Sequence, residues 1–195
     1  MIREGRLDTA TQAQAVKQIE RAASVVSNVG RQASDLSKWI AFVPDLAVSK
    51  AVPLGPLVSG AIHRIESKSP VAYEFDPALE HVCVRVFERD ALSVALSHLL
   101  GAVCREALGA PVRVVVSPGP EEHTCDIVAV PESLGITATT AAHDDPSPLF
   151  ELGGWGLSLV GAATVVSAHG GTVLTDKERL GVVRVRLRLV TEELT

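Results

Sequence analysis

The sequence predicts an α+β fold: a two-layer sandwich with helices on one face of a mixed, mainly antiparallel sheet, preceded by a coiled-coil-like helix. Three observations predict it. From residue 54 onward, helix-like and strand-like segments come in blocks: helix, strand, strand, helix, strand, strand, loop, helix, strand, strand. The run Val112–Val116, a Ser117-Pro118-Gly119-Pro120 turn and a returning run Cys125–Val130 read as an antiparallel hairpin. In front of these blocks, a proline-free stretch from Thr11 to Val43 carries an apolar seam.

The seam justifies the first element. Val16, Ile19, Ala23 and Val26 step by three and four; after one irregular step Val29, Ala33, Leu36, Ile40 and Val43 repeat the pattern. Gln18, Arg21, Arg31, Gln32 and Lys38 lie opposite. Such a helix must pack on the main domain, on a second copy, or on a partner helix. Pro44 ends it, and Asp45–Ala51 reads as a linker, dividing the chain into 1–50 and 51–195. Leu54, Leu57, Val58, Ala61, Ile62 and Ile65 form an amphipathic helix starting near Pro53. Val71–Phe75 and Val82–Val86 read as strands, the second alternating Val82, Val84 and Val86. Asp90 is positioned to N-cap a long apolar helix, Ala91 to Leu108. Pro131–Pro148, rich in Thr, Ala, Asp and Pro, fits no period and reads as a loop. A glycine-led helix follows, then strands near 172–176 and 182–189.

Composition narrows the function. With 195 residues and 47% hydrophobic content, the chain can build one good core plus an appended element. A net charge of −5 gives no electrostatic footprint for nucleic acid, and 4% aromatics argues against stacking platforms for single strands. No run approaches a membrane span, and no charged-then-apolar signal segment opens the sequence. Cys83, Cys104 and Cys125 lie far apart with no Cys-x-x-Cys. They suit a reducing cytoplasm, as buried small hydrophobes rather than zinc ligands.

The chemistry concentrates in Leu152-Gly153-Gly154-Trp155-Gly156-Leu157-Ser158-Leu159-Val160. Clustered glycines followed by a helix-period run to Ala168 read as a loop entering a helix N-terminus. Unpaired N–H groups and the positive end of the helix dipole at such a junction suit a phosphate, and a Cβ would hold the phosphate away. Many helices start after glycines and bind nothing, so the turn alone decides little. It is not a Walker loop, and no Gly-x-Gly-x-x-Gly follows a strand. The order is more specific: glycine loop, helix, His169-Gly170-Gly171, strand, Gly181, strand. Over residues 149–190 this resembles the G2 box and C-terminal end of the histidine-kinase catalytic domain, the GHKL or Bergerat ATP-binding fold. The resemblance is looser but colinear back to about residue 12.

The resemblance implies ATP or ADP as ligand, with Mg²⁺, and phosphates held by Gly153, Gly154, Trp155, Gly156, Leu157 and Ser158. The family's N box corresponds to His98-Leu99-Leu100-Gly101-Ala102-Val103-Cys104-Arg105. His98 takes the leading polar position, Ala102 replaces the asparagine that holds Mg²⁺, and Arg105 matches the basic position. On helical spacing His98, Ala102, Arg105 and Glu106 share a face, which makes His98 and Glu106 the candidate catalytic side chains. The G1 box is further eroded: Pro131 replaces the adenine-reading aspartate, Glu132 offers a carboxylate one residue along, and Gly135-Ile136 remains. Residues 131–150 occupy the place of the mobile ATP lid, and Leu149-Phe150-Glu151 resembles a remnant of the F box. An alanine offers Mg²⁺ no hard oxygen, and loss of the aspartate removes a buried acceptor for adenine.

No phospho-acceptor histidine is evident. His63 lacks an adjacent acid and the proline that should follow, and His81 and His123 carry no motif. His143 stands beside Asp144-Asp145, and His169 ends a helix, where it complements the dipole. The resemblance therefore implies a divergent catalytic domain preceded by the second helix of a dimerisation and phosphotransfer hairpin. Its partners would be a response regulator, the acceptor-histidine helix of the same kinase, and a second copy in a homodimer. Two alternatives stay open: a pseudokinase docking module that binds no nucleotide, and an anti-sigma-factor type serine kinase.

Overall fold

A computed structural model describes residues 9–40, 49–65, 67, 69–134, 142–143, 156–176 and 181–190. The expected helix break at Pro44 and most of the linker lie outside these residues. So do Gly135, most of the lid, the F-box remnant, and Gly153 to Trp155.

Helix α1 (Thr9–Ile40) forms where the seam predicts it and lies along α4 (Gly156–Ala168). It is not sealed by that contact: Val16, Ile19 and Val26 are 52%, 68% and 71% exposed. Strand β1 (Lys50–Pro53) follows, then α2 (Leu54–His63), β2 (Val71–Phe75), β3 (Cys83–Val86), α3 (Arg89–Glu106), β4 (Val112–Pro118), β5 (Thr124–Pro131), β6 (Ala142–His143), α4, β7 (Thr172–Asp176) and β8 (Val183–Val190).

The sheet is arranged about β8. One edge of β8 pairs antiparallel with β5, from Val183↔Ala129 to Arg188↔Thr124. Its other edge is divided, residues 183–186 pairing with β7 and residues 189–190 with β3. Outward from there the order is β3 to β1 on one side and β5, β4, β2 on the other, with β6 beside β7. The predicted β4–β5 hairpin is present, and β2 runs parallel to β4. The mixed sheet with its helical layer is the predicted α+β architecture.

Alternation explains the layer. Val112, Val114 and Val116 of β4, Ile127 and Ala129 of β5, and Val183, Val185 and Leu187 of β8 are all buried. They meet Leu57 and Val58 of α2, Leu92, Leu96, Leu99 and Leu100 of α3, and Leu159, Val165 and Val166 of α4. Each such aliphatic side chain contributes about 1.5–3 kcal/mol on full burial, and β-branched residues suit the pleated surface. On the far side of the sheet, buried Asp126 takes a two-pronged ion pair from Arg186 at 2.8 and 3.1 Å, with Arg184 at 3.6 Å.

Three expectations are corrected. The end of the linker is not a linker: Lys50 and Ala51 belong to β1, a four-residue edge strand ending in proline, paired Lys50↔Val86 to Pro53↔Cys83. Asp90 is not the N-cap of α3. Glu88 occupies that position without a side-chain cap, and Asp90 reaches Arg64 instead at 3.3 Å. The segment from Pro131 is not all loop, because Pro131 closes β5, Glu132–Leu134 makes one 3-10 turn, and Ala142–His143 pairs with β7. The predicted overrun of α3 to Leu108 also has a cause. Leu108 and Gly109 turn left-handed (φ 51° and 94°), and the Ser69 hydroxyl donates to the Cys104 carbonyl while accepting the Gly109 N–H.

Candidate functional site

The register of α3 against α4 builds the site. His169, one residue past α4, is buried. Its Nδ1 lies 2.7 Å from the Val165 carbonyl, so that nitrogen carries the proton. Nε2 then has a lone pair, and it accepts the N–H of Glu88, the N-cap residue of α3, at 3.4 Å. The Phe87 ring lies 5.4 Å from the imidazole. Burial pushes the His169 pKa down, against opposing contributions from the Val165 carbonyl and Glu88. The sequence expectation of a dipole-complementing histidine is thus half right: His169 satisfies a terminal carbonyl, but as a neutral ring.

This contact pins the end of α4 to the start of α3, so the two packed helices run antiparallel. Counting back along α4 from His169 to Gly156 covers about 20 Å at 1.5 Å per residue. The same rise along α3 from Glu88 reaches Gly101 and Ala102. By this count Gly156, the first residue of α4, falls level with the middle of the N-box stretch. His98 lies one turn below and Arg105 one turn above. Leu157 and Ser158 follow Gly156 in the first turn of α4, while Gly153, Gly154 and Trp155 lie outside the described residues.

The α3 side chains divide their roles. His98 is half-buried, and Ala102 is 4% exposed. Arg105 is half-buried, with a guanidinium nitrogen 3.4 Å from the point a Cβ on Gly101 would occupy. Gly101 thus leaves the room into which the cation folds. Burial lowers the Arg105 pKa, while Cys104 and Glu106 act to hold the charge. A partly desolvated guanidinium gains more from an arriving oxyanion than one fully in water. Glu106 faces another neighbour. Its Cβ lies 3.6 Å from the Cβ point of Gly181, whose φ of 94° suits glycine, and Pro131 lies 3.8 Å from the same point. The ends of α3 and β5 and the start of the last strand meet there. Glu132 is exposed, its N–H bonded to the Pro111 carbonyl at 2.9 Å.

A Mg²⁺ site of the family kind does not fit these residues. Ala102 presents a buried methyl group, and no cluster of three metal-ligating side chains occurs among the described residues. Cys104 and Cys125 are buried, and the Cys125 thiol is pushed up to about 12, chiefly by burial, so both read as packing groups. No described helix is long and apolar enough to cross a membrane. Sequence reading missed the His169–Glu88 contact, the clearance at Gly101 and the Gly181 junction. His169-Gly170-Gly171 and Gly181 stand out in the sequence as punctuation, which is the signal that could have found two of them.

Comparison with solved structures places the fold. The mycobacterial sensor histidine kinase MprB aligns with a TM-score of 0.51 at 16% identity, covering 73% of this chain and 98% of that one. The Acinetobacter baumannii histidine kinase AdeS aligns at 0.51 and 12% identity over 94% of this chain and 86% of its own. Full-length ShkA, solved in complex with AMPPNP, aligns at 0.57 and 14% identity, covering 97% of this chain and 41% of that one. Neither a protein-family model nor a curated protein matches the sequence. The chain has the fold of the histidine-kinase catalytic domain, at identities low enough that fold is all the likeness carries.

Proposed function

We propose that this chain is the ATP-binding catalytic domain of a two-component histidine kinase, hydrolysing ATP or passing its γ-phosphoryl group to a histidine outside this chain segment. One observation carries the reading: α4 packs on α3 with its end pinned at Glu88, and helical rise from that contact would bring the N-terminus of the glycine-led helix level with Gly101, about one turn from Arg105. Backbone N–H groups from Gly153 to Ser158 would hold the phosphates, and Arg105 would offset their charge. His98 and Glu106 would orient or polarise the attacking group, Glu106 from the Gly181–Pro131 side of α3. Glu132 and Gly135 would line the entrance. Phosphoryl transfer relies mainly on positioning and charge neutralisation, which these backbone N–H groups and Arg105 would supply. In this reading the N-terminal unit is a helix of the dimerisation hairpin with its linker, the catalytic domain begins with β1 at Lys50 rather than at residue 51, and the site faces the cytoplasm.

The test is calorimetric titration with ATP, with and without Mg²⁺, on this chain and on Gly154→Val/Gly156→Val. Binding that the glycine variant loses supports the site, and phosphate release then separates turnover from binding. No heat at millimolar ATP from folded protein overturns the reading. The buried methyl of Ala102 favours a second one, a docking module that keeps the fold, binds a response regulator or kinase and turns nothing over. If phosphoenzyme forms, acid-labile phosphate marks a histidine kinase and acid-stable phosphate the serine-kinase alternative.

A further inference from the structure

The two edges of the sheet differ. At one, β1 is four residues long, opens with Lys50 and closes with Pro53, and both residues discourage a further strand. At the other, β2 runs Val71-Ala72-Tyr73-Glu74-Phe75 with neither lysine nor proline. Among the described residues β2 pairs with β4 alone. The Val112 N–H donates to the Pro70 carbonyl, and the Asp76 N–H donates to the Val116 carbonyl. In the parallel ladder between these two bonds, Ala72 and Glu74 turn their backbone groups toward β4. Val71, Tyr73 and Phe75 therefore turn theirs outward, and no backbone hydrogen bond among the described residues is made on that side. The one charge on the strand does not guard it, because Glu74 is held back by Arg113 of β4 at 3.2 Å. Tyr73 is 38% exposed, its ring 6.1 Å from that of Phe75.

We propose that β2 is a docking edge for a second copy of this chain, the two strands pairing antiparallel about a two-fold axis at Tyr73. The outward groups lie at 71, 73 and 75, symmetric about residue 73, so this register uses all of them. Tyr73 bonds to its mate, and Val71 bonds to Phe75 of the partner subunit in both directions, about six hydrogen bonds in all. The exposed Tyr73 ring is covered by the same ring across the axis, an aromatic cross-strand pair. Glu74 falls opposite Ala72 of the partner subunit rather than opposite its mate, so like charges do not meet. Ala72 pairs with Arg113, so each Glu74 approaches a second arginine across a small side chain. A five-residue edge is a small interface, which makes the dimer weak and concentration-dependent. The contact is separate from the seam of α1 and independent of the nucleotide reading.

The experiment is disulfide trapping in the full chain carrying Cys83→Ser, which removes the one cysteine that is not buried. Opposed residues of a hydrogen-bonded antiparallel pair stand about 5.5 Å apart at Cα, within reach of a disulfide. Residue 74 and its mate are diagonal, at about 7–8 Å, and out of reach. Under mild oxidation Tyr73→Cys is expected to form a covalent dimer about tenfold or more faster than Glu74→Cys. In sedimentation equilibrium up to about 1 mM, Tyr73→Pro, which removes an outward N–H only, should weaken self-association about tenfold. Circular dichroism checks that each variant is folded. No covalent dimer at residue 73, equal trapping at 73 and 74, or unchanged association of Tyr73→Pro would overturn the proposal. Amide protection of Val71, Tyr73 and Phe75 by an alternating Thr-Val peptide, in a chain that stays monomeric, would assign the edge to a foreign strand and overturn it as well.

Discussion

The two ends of the α3–α4 pair are built on opposite principles. At the His169 end a buried polar group has both nitrogens matched to backbone partners and no charge. At the Gly156 end the partly buried group is a cation, Arg105, given room by a glycine and set near a second helix terminus. A neutral, matched group adds order and offers little to a ligand. A partly desolvated cation contributes less to order and gains from an arriving anion.

The largest expected effect lies at the closed end. A Cβ on Gly171 would stand 2.7 Å from the Arg186 carbonyl, 2.8 Å from Leu187 and 2.9 Å from Val166. The carbonyl is ladder backbone and cannot step aside. Gly171→Val should cost about 3 kcal/mol or prevent folding, measured by urea denaturation. A loss under about 1 kcal/mol would mean that this end is loose.

His169→Ala comes next. It leaves the Glu88 N–H unmatched, while the Val165 carbonyl keeps only the residue-169 backbone N–H at 3.2 Å, and should cost about 2 kcal/mol, again by denaturation. The wild-type residue also predicts a pH dependence. Because its folded pKa lies below the unfolded value of 6.5, the unfolded chain takes up the proton first as the pH falls. Stability should be full above 6.5 and decline below it until the folded pKa is passed. His169→Gln should remove that component of the decline, and an unchanged slope would refute the neutral ring.

At the open end the sign of the comparison reverses. Arg105→Gln should weaken ATP binding by about 10- to 100-fold, the scale of a lost charge-assisted contact, with little change in denaturation midpoint. Calorimetry beside a melt separates the two. A variant that unfolds but binds normally when folded would move Arg105 to the structural side.

How legible this was in sequence follows from the kind of force at each place. Period-two valines in β4 and β8 and the period of α3 report burial, which one segment carries by itself. β1 was invisible because four residues with a terminal proline form a strand only when β3 supplies the partner. Asp90 looked like a cap because caps are local, and it was diverted by Arg64, 26 residues away in the sequence. The glycine-led helix start and the His-Gly-Gly stop were readable as boundaries. Their meaning was not, because the His169–Glu88 bond spans 81 residues and fixes the register of two helices that no single window contains.

The smallest effect is the most discriminating. Gly101→Ala places a methyl group 3.4 Å from the Arg105 guanidinium and 3.7 Å from Ile65, so the flexible tip must give by a few tenths of an ångström. Alanine is the better helix residue by about 1 kcal/mol, and α3 is helical throughout this turn. If Gly101 serves only the helix, the substitution raises the melting temperature and leaves ATP binding alone. If it is there to seat Arg105, the melt still rises while ATP affinity falls a few-fold, and Gly101→Ala combined with Arg105→Gln binds no more weakly than Arg105→Gln alone. That non-additivity in a double-mutant cycle is the expected result, because the methyl group acts on ATP only through the guanidinium it displaces.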